Sequence, residues 1–272
     1  MTWRTRRTVW MVVVVSGLIG CQCGERRQCC RRGEPAAPAA VRYDALFADL
    51  ESSSSAVINR AAEALAAAAP DTLPRLFAAL GTARASTGAM RAISKVANPR
   101  RSTVPRLIEL LGSDRPETRV KAARTLVLIG PDAADAVPAL VRLVEQGGAD
   151  PHRSESGRRQ GDWSAQAALE AIGSAAVPGV EELLRHPDSS VRSDAARILG
   201  GIGPSAFTAA DSLTTALDDH NVYVRRWVML AVLEIGRVNA PLREKLRSVA
   251  STEAGPELRD LASRAASLPL GE

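Results

Sequence analysis

Cysteine is confined to the front of the chain. All four lie at positions 21, 23, 29 and 30, and none follows. The body of the protein therefore has neither disulfide staples nor thiolate metal sites. Aromatic residues make up only 3% of the sequence, with three phenylalanines and two tyrosines. A core built around large rings is thus out of reach. Only three histidines occur: His152, His186 and His220. No G-x-S-x-G elbow, phosphate-binding loop or dinucleotide fingerprint is present; the GGIG at Gly200–Gly203 belongs to a helix end. An excess of positive charge is also missing where it would matter. The net charge is +5, but seven of the 35 lysines and arginines precede Pro35, against two of the 30 acids. From Pro35 onward there are 28 of each. A nucleic-acid binder needs a basic stripe that displaces counterions, and no nucleic-acid partner is expected.

What the sequence has instead is a period. In VRSDAARILGGIG, Val191, Ala195, Leu199 and Ile202 fall on one face of a helix. Gly203 supplies a left-handed stop and Pro204 cannot continue the helix. The segment Thr118–Pro131 matches in register through Arg119, Ala122, Ala123, Leu126 and Ile129-Gly130-Pro131. Val224–Gly236 repeats Arg225, Val228, Val232 and Ile235, and Trp163–Gly173 keeps Ala165, Leu169 and Ile172 with Asp162 in the arginine slot. Worn copies end at Ala69-Pro70 and Asn98-Pro99, and Leu258–Pro269 is a last, incomplete one. A second helix with proline in its first turn precedes most copies, as in VPRLIELL from Val104 and VPGVEELL from Val177. Terminators at 69, 98, 130, 173, 203 and 236 are spaced by 29, 32, 43, 30 and 33 residues. The expected fold is all-α: a right-handed α-solenoid of about seven helix pairs over residues 41–272, each pair burying its aliphatic stripe against its neighbours.

The D…VR..AA..L..IG-P strings, clearest at Asp114–Pro131 and Asp188–Pro204, resemble the HEAT-repeat superfamily, specifically the short HEAT-like repeats of phycobilin lyases. Tetratricopeptide and ankyrin repeats, at ~34 and ~33 residues, need aromatic or TPLH frameworks that this chain lacks. The resemblance implies a non-catalytic scaffold that docks another protein on the concave face lined by the second helices. No cofactor and no small-molecule substrate is then expected. The alternative it implies is a tetrapyrrole-handling enzyme or chaperone, against which the shortage of aromatics and cysteines counts. Deoxyhypusine hydroxylase, another HEAT-like protein, holds di-iron with His-Glu pairs. Here Arg153, Pro187 and Asn221 follow the histidines, so those ligands are absent and no metal is expected.

The amino terminus carries an address. Arg4, Arg6 and Arg7 precede an apolar run from Val9 to Ile19. That run is shorter than the ~20 residues of a spanning helix and fits the h-region of a secretory signal. Leu18-Ile19-Gly20-Cys21 resembles a bacterial lipobox, which implies removal of residues 1–20 and lipidation of Cys21. Gln22 is not the aspartate that retains such lipoproteins at the inner membrane, so the outer membrane is favoured. Residues 21–40 form a Cys/Arg-rich tether ending in the Pro/Ala stretch Glu34–Ala40.

Candidate functional residues come from departures from the period. The 43-residue unit carries a Gly-, Ser- and Arg-rich insertion near 146–162, and insertions in repeat proteins often sit on the binding face. Arg153, Arg158, Arg159 and Trp163 there, with Tyr223 and Trp227 two units on, are the candidate partner-binding residues. Arg119, Arg192 and Arg225 occupy one position in successive units. With Asp114, Asp188 and Asp219 upstream of them they form a candidate structural ladder between repeats. His186 and His220 fall in turns beside Asp188 and Asp219, where turn and capping roles are expected.

Overall fold

The computed structural model describes residues 39–148 and 163–271. The chain there is helical, fifteen helices following one another in order. Fourteen form seven antiparallel pairs: α1 (Ala39–Asp49) with α2 (Ser55–Ala67), α3 (Leu73–Leu80) with α4 (Ser86–Ser94), α6 (Val104–Leu111) with α7 (Pro116–Ile129), and α8 (Val137–Gly148) with α9 (Trp163–Ile172). The series closes with α10 (Val177–Leu183) and α11 (Ser189–Ile202), α12 (Ala210–Ala216) and α13 (Val222–Ile235), and α14 (Ala240–Thr252) and α15 (Pro256–Ala266). The four-residue α5 (Pro99–Ser102) is a turn ahead of α6. Two boundaries differ from the sequence reading: α1 begins inside the stretch read as linker, and α8 continues two residues past Gln146.

Each second helix packs on the second helices of the units before and after it, in the order α2, α4, α7, α9, α11, α13, α15. The first helices α6, α8 and α10 stack likewise. The repeat positions picked out by the period fill the seam between the layers. Ala61, Ala62, Leu65, Ala122, Ala123, Leu126, Ala165, Leu169, Val191, Ala195, Leu199, Val224, Val228 and Val232 are all buried. A fully buried leucine contributes roughly 1.5–3 kcal/mol. Alanine contributes little area but lets helix axes approach, and that explains how an aromatic-poor chain closes a continuous core. Both stacks also use glycine for contact. A β-carbon on Gly179 would lie 3.2 Å from Val137 of α8, and one on Gly200 would lie 3.1 Å from the Ala231 backbone of α13.

The terminators divide into three geometries. Asn98 and Gly236 take the left-handed conformation expected of them, at φ/ψ 52/57° and 78/4°. Gly130 and Gly203 have positive φ but ψ of −134° and −142°. This is a mirror-image extended region that only glycine enters. It keeps the ring of the following proline clear, a clash that disfavours helical backbone before proline. Asn98 also precedes a proline, but its β-carbon bars the extended alternative. Ala68 caps α2 at φ −91°, so the first terminator, Ala69-Pro70, works without a positive-φ residue. After Gly130, Gly173 and Gly203 the chain passes straight into 3-10 turns, Gly130–Ala136, Gly173–Ala176 and Gly203–Ala209, that lead into the next first helix.

Candidate functional site: the second-helix face and its inter-repeat ladder

The arginines of the repeat act as staples. Each sits in the first turn or so of a second helix and reaches back over the turn that enters it. Arg119 Nη1 donates to the Ser113 carbonyl (2.8 Å), Arg192 Nη1 to those of His186 and Pro187 (2.8 and 2.9 Å), and Arg259 Nη1 to those of Glu253 and Ala254 (2.9 and 3.0 Å). Arg225 Nη1 does the same with Asp219 (2.9 Å). The rest of the guanidinium then crosses to the next repeat. Arg192 forks Asp219 through Nε (2.5 Å) and Nη2 (3.0 Å), and Arg225 forks Glu253 through the same two nitrogens, both at 3.0 Å. Bidentate pairs of this kind fix geometry as well as contribute energy. The structure thus chains α11, the turn before α13, α13 and the turn before α15.

The recurring aspartates fall into different registers. Asp219 lies six residues before its arginine and faces the previous repeat. Asp188, four before Arg192, is the N-cap of α11, accepting from the Ser190 N–H at 2.8 Å; Asn221 occupies that slot for α13. Asp114, five before Arg119, is exposed and pairs with no arginine among the described residues. Glu253, which sequence reasoning passed over, occupies the Asp219 register, six before Arg259. Burial pushes the Asp219 carboxyl upward, but the Arg192 fork, the Asn221 N–H and the charge of Arg192 outweigh it and hold the group below the usual aspartate range. His220 is a solvent-facing neighbour of Asp219, and the Nδ1 of His186 accepts from the Asp188 N–H at 3.1 Å. Both histidines serve turns.

Exposed apolar surface follows the other side of the second helices. Leu128 on α7, Trp163 on α9, and Val222, Tyr223 and Trp227 on α13 are the large hydrophobic side chains left in solvent among the described residues, together with Leu270 near the carboxy terminus. None lies on a first helix. Trp163 is 44% exposed and lines a 490 Å³ cleft with Thr87, Met90 and Arg91 of α4, Arg124, Val127 and Leu128 of α7, and Ala167 of α9. The Arg197 guanidinium of α11 lies over the Trp163 ring, 5.1 Å from its centroid. Tyr223 and Trp227 stand on α13, outside the cleft. Arg153, Arg158, Arg159 and Cys21 lie outside the described residues.

One carboxylate on this face is perturbed. Glu170 of α9 lies against Gly201 of α11, where a β-carbon would come within 2.4 Å of the Glu170 Cδ. Burial raises the Glu170 pKa, and the nearby Arg197 charge only partly offsets it. A raised acid pKa means that stability falls as pH climbs from the unfolded value, about 4.3, through the folded one. Gly201→Ala should push the flexible carboxyl outward, return its titration toward the ordinary range and flatten that slope. The helix gains up to about 1 kcal/mol from losing a glycine. NMR titration of the Glu170 carboxyl, with melting at acid and neutral pH, checks both effects.

The fold and this face define a class, the α-solenoid of stacked helix pairs. A family model described as HEAT repeats matches residues 177–267. No curated protein matches the chain. Among solved structures, importin beta superposes with a TM-score of 0.50 at 17% identity, covering 82% of this chain and 34% of its own. At that identity the likeness is one of fold. An archaeal HEAT-like repeats protein from Thermococcus onnurineus NA1 has a TM-score of 0.46 at 14% identity, with 82% and 95% covered. The complex of CpcE and CpcF of phycocyanin lyase from Nostoc sp. PCC7120 has 0.38 at 23%, with 89% and 91% covered.

Proposed function

We propose that this protein is a non-catalytic docking scaffold, held at the bacterial envelope through a lipidated Cys21, that presents its second-helix face to another protein. The observation that carries the docking reading is the one-sided distribution of exposed apolar side chains. Leu128, Trp163, Tyr223 and Trp227 all stand on second helices, and among the described residues the first helices expose no comparable group. Large aromatic side chains standing in solvent on one face of a repeat array are what interface anchors require. The anchor rests on Leu18-Ile19-Gly20-Cys21 and the basic, apolar stretch before it. Two or three acyl chains, at ~0.8 kcal/mol per buried CH2, hold a protein stably where one does not. Gln22 directs the proposal to the outer membrane.

The test places a photo-cross-linking residue at Tyr223 or at Arg142, on first helix α8, in full-length protein and in a Cys21→Ser variant, expressed in cells. One envelope protein captured from position 223 and not from 142 is expected, with membrane fractionation lost in Cys21→Ser. Equal capture from both faces overturns docking. Unchanged fractionation overturns the anchor. Visible tetrapyrrole absorbance in the purified protein would favour a lyase-like role instead.

A further inference from the structure

The cleft across α4, α7 and α9 has a chemistry of its own. Its floor is apolar: Met90, Val127, Leu128, Ala167 and the Trp163 ring. Its lining includes two arginines, Arg91 and Arg124, and no carboxylate. Some cations elsewhere in the array meet acids across repeats, as in Arg75–Asp44 (2.8 Å) and Lys95–Glu63 (2.5 Å), and others, such as Arg119 and Arg259, are held by backbone carbonyls. Arg91 donates to a neutral amide, Asn59 Oδ1, at 3.0 Å, and meets no acid among the described residues. Arg124 is exposed and reaches no acid among the described residues. Arg197, above Trp163, adds a third cation at the edge, shared at 3.5 Å with Asp194. An apolar floor is thus bordered by two arginines, Arg91 and Arg124, that meet no acid among the described residues, and its lining holds no carboxylate.

We infer that this cleft receives an acidic segment of a partner protein, one bulky apolar side chain seated against Leu128 and Trp163 and flanking carboxylates held by Arg91 and Arg124. The inference rests on the docking reading above and assigns it a place and a partner chemistry. Arginine suits the role because its planar fork engages carboxylates with two hydrogen bonds. Three neighbouring helices at 8–10 Å spacing present a track about 16–20 Å long, which spans about five or six extended residues at ~3.3 Å each. The face continues past the cleft toward Trp227 and Tyr223, which favours a linear ligand over a compact one. An anionic membrane surface is the weaker match, since recognition of that kind uses clusters of roughly four to eight basic residues.

The test is fluorescence anisotropy with the full chain and a short fluorescein-labelled peptide, a central Phe-Leu flanked on both sides by Asp and Glu. Its controls carry Lys in place of the acids, or Ala in place of Phe-Leu. Binding of the acidic, apolar peptide alone is expected, weakened about tenfold by Arg124→Glu and by Trp163→Ala. The double variant Arg91→Glu/Arg124→Glu should reverse the preference toward the Lys peptide. That outcome needs a folded protein and so separates recognition from unfolding. Equal affinity for acidic and basic peptides, or indifference to Arg91→Glu/Arg124→Glu, overturns the inference. Displacement of the acidic peptide by biliverdin, or by phosphatidylglycerol vesicles, at lower concentration overturns it in favour of a small or membrane-borne anion. The two readings fail separately. If cross-linking from Tyr223 still captures its envelope partner while no acidic peptide binds, docking stands and the cleft's chemistry falls.

Discussion

Arg192→Ala is expected to destabilise the carboxy-terminal half of the array by about 3–5 kcal/mol, the range for breaking one side of a buried ion pair. The Arg192 and Asp219 side chains are each only 8% exposed. Removing the guanidinium leaves a carboxylate in the seam between two repeats and strips the His186 and Pro187 carbonyls of their donor. Asp219→Asn is milder, because Arg192 keeps the two carbonyls and gains a neutral acceptor. The pH dependence separates the cases. In the natural protein the Asp219 pKa is lowered, so its contribution is complete above the unfolded value of about 3.9 and is lost as pH falls through the folded one. In Arg192→Ala only the Asn221 N–H and the His220 charge still oppose the burial that raises the pKa, so the carboxyl titrates higher and the loss of stability at acid pH flattens. Urea unfolding of both variants between pH 3 and 7, followed by helicity, reads out both the loss and the flattened slope.

Much of this architecture lies in short strings of the sequence. Gly130, Gly173, Gly203, Gly236 and Asn98 mark helix ends because few side chains tolerate the backbone conformation a stop requires. The same requirement makes them visible without a structure. The aliphatic positions around them place seven helix pairs for a similar reason, since a stacked array has only one seam to fill. The ladder was half legible. Arg119, Arg192 and Arg225 stand out by recurrence, but the turns before them carry aspartates five, four and six residues upstream, and those slots do different work. The slot six upstream faces the neighbouring repeat, while the slot four upstream caps its own helix. Glu253 was overlooked because it was sought as an aspartate and not by its offset from Arg259.

The cleft was hardest to see. Met90 and Trp163 are far apart in the chain, with two first helices, α7 and the insertion between them, and only the stacking of α4, α7 and α9 makes them neighbours. One signal was present. Two residues before the terminating glycine the other units carry Ala171, Gly201 and Glu234, whereas the third carries Leu128. The Asn98-terminated unit also has an apolar residue in this slot, Val96, but that one is buried, whereas at Leu128 the array leaves hydrophobic surface in water. Leu128 is 53% exposed. Arg124, one turn earlier on α7, borders the same patch. Trp163, the residue where the chain resumes the repeat after the insertion, lines this cleft.

Gly200→Leu should cost about 2 kcal/mol net and change how the array unfolds. At Gly200 α11 comes so close to α13 that a β-carbon would lie 3.1 Å from the Ala231 Cα and 3.4 Å from its Cβ. A flexible tip cannot relieve that contact, because the obstructing atoms are backbone and a methyl that is itself buried. Overpacking by several methylenes therefore has to separate the two helices, at the upper end of the usual 1–3 kcal/mol penalty. The gain in helix propensity from replacing glycine returns at most about 1 kcal/mol of it. Gly201, one residue on, has the flexible end of the Glu170 side chain as its nearest neighbour, so Gly201→Ala is the matched control and should be neutral or stabilising. In a nearest-neighbour array a lesion at one interface weakens coupling more than it weakens either side. The Gly200→Leu protein should then unfold in two steps, α13–α15 first and the earlier repeats at higher urea, where the natural chain unfolds in one. Trp227 fluorescence, read with Trp3, Trp10 and Trp163 all replaced by Phe, follows the first step and far-ultraviolet dichroism the sum. Coincident transitions in Gly200→Leu would mean that the α11–α13 contact does not carry the coupling between the two ends of the solenoid.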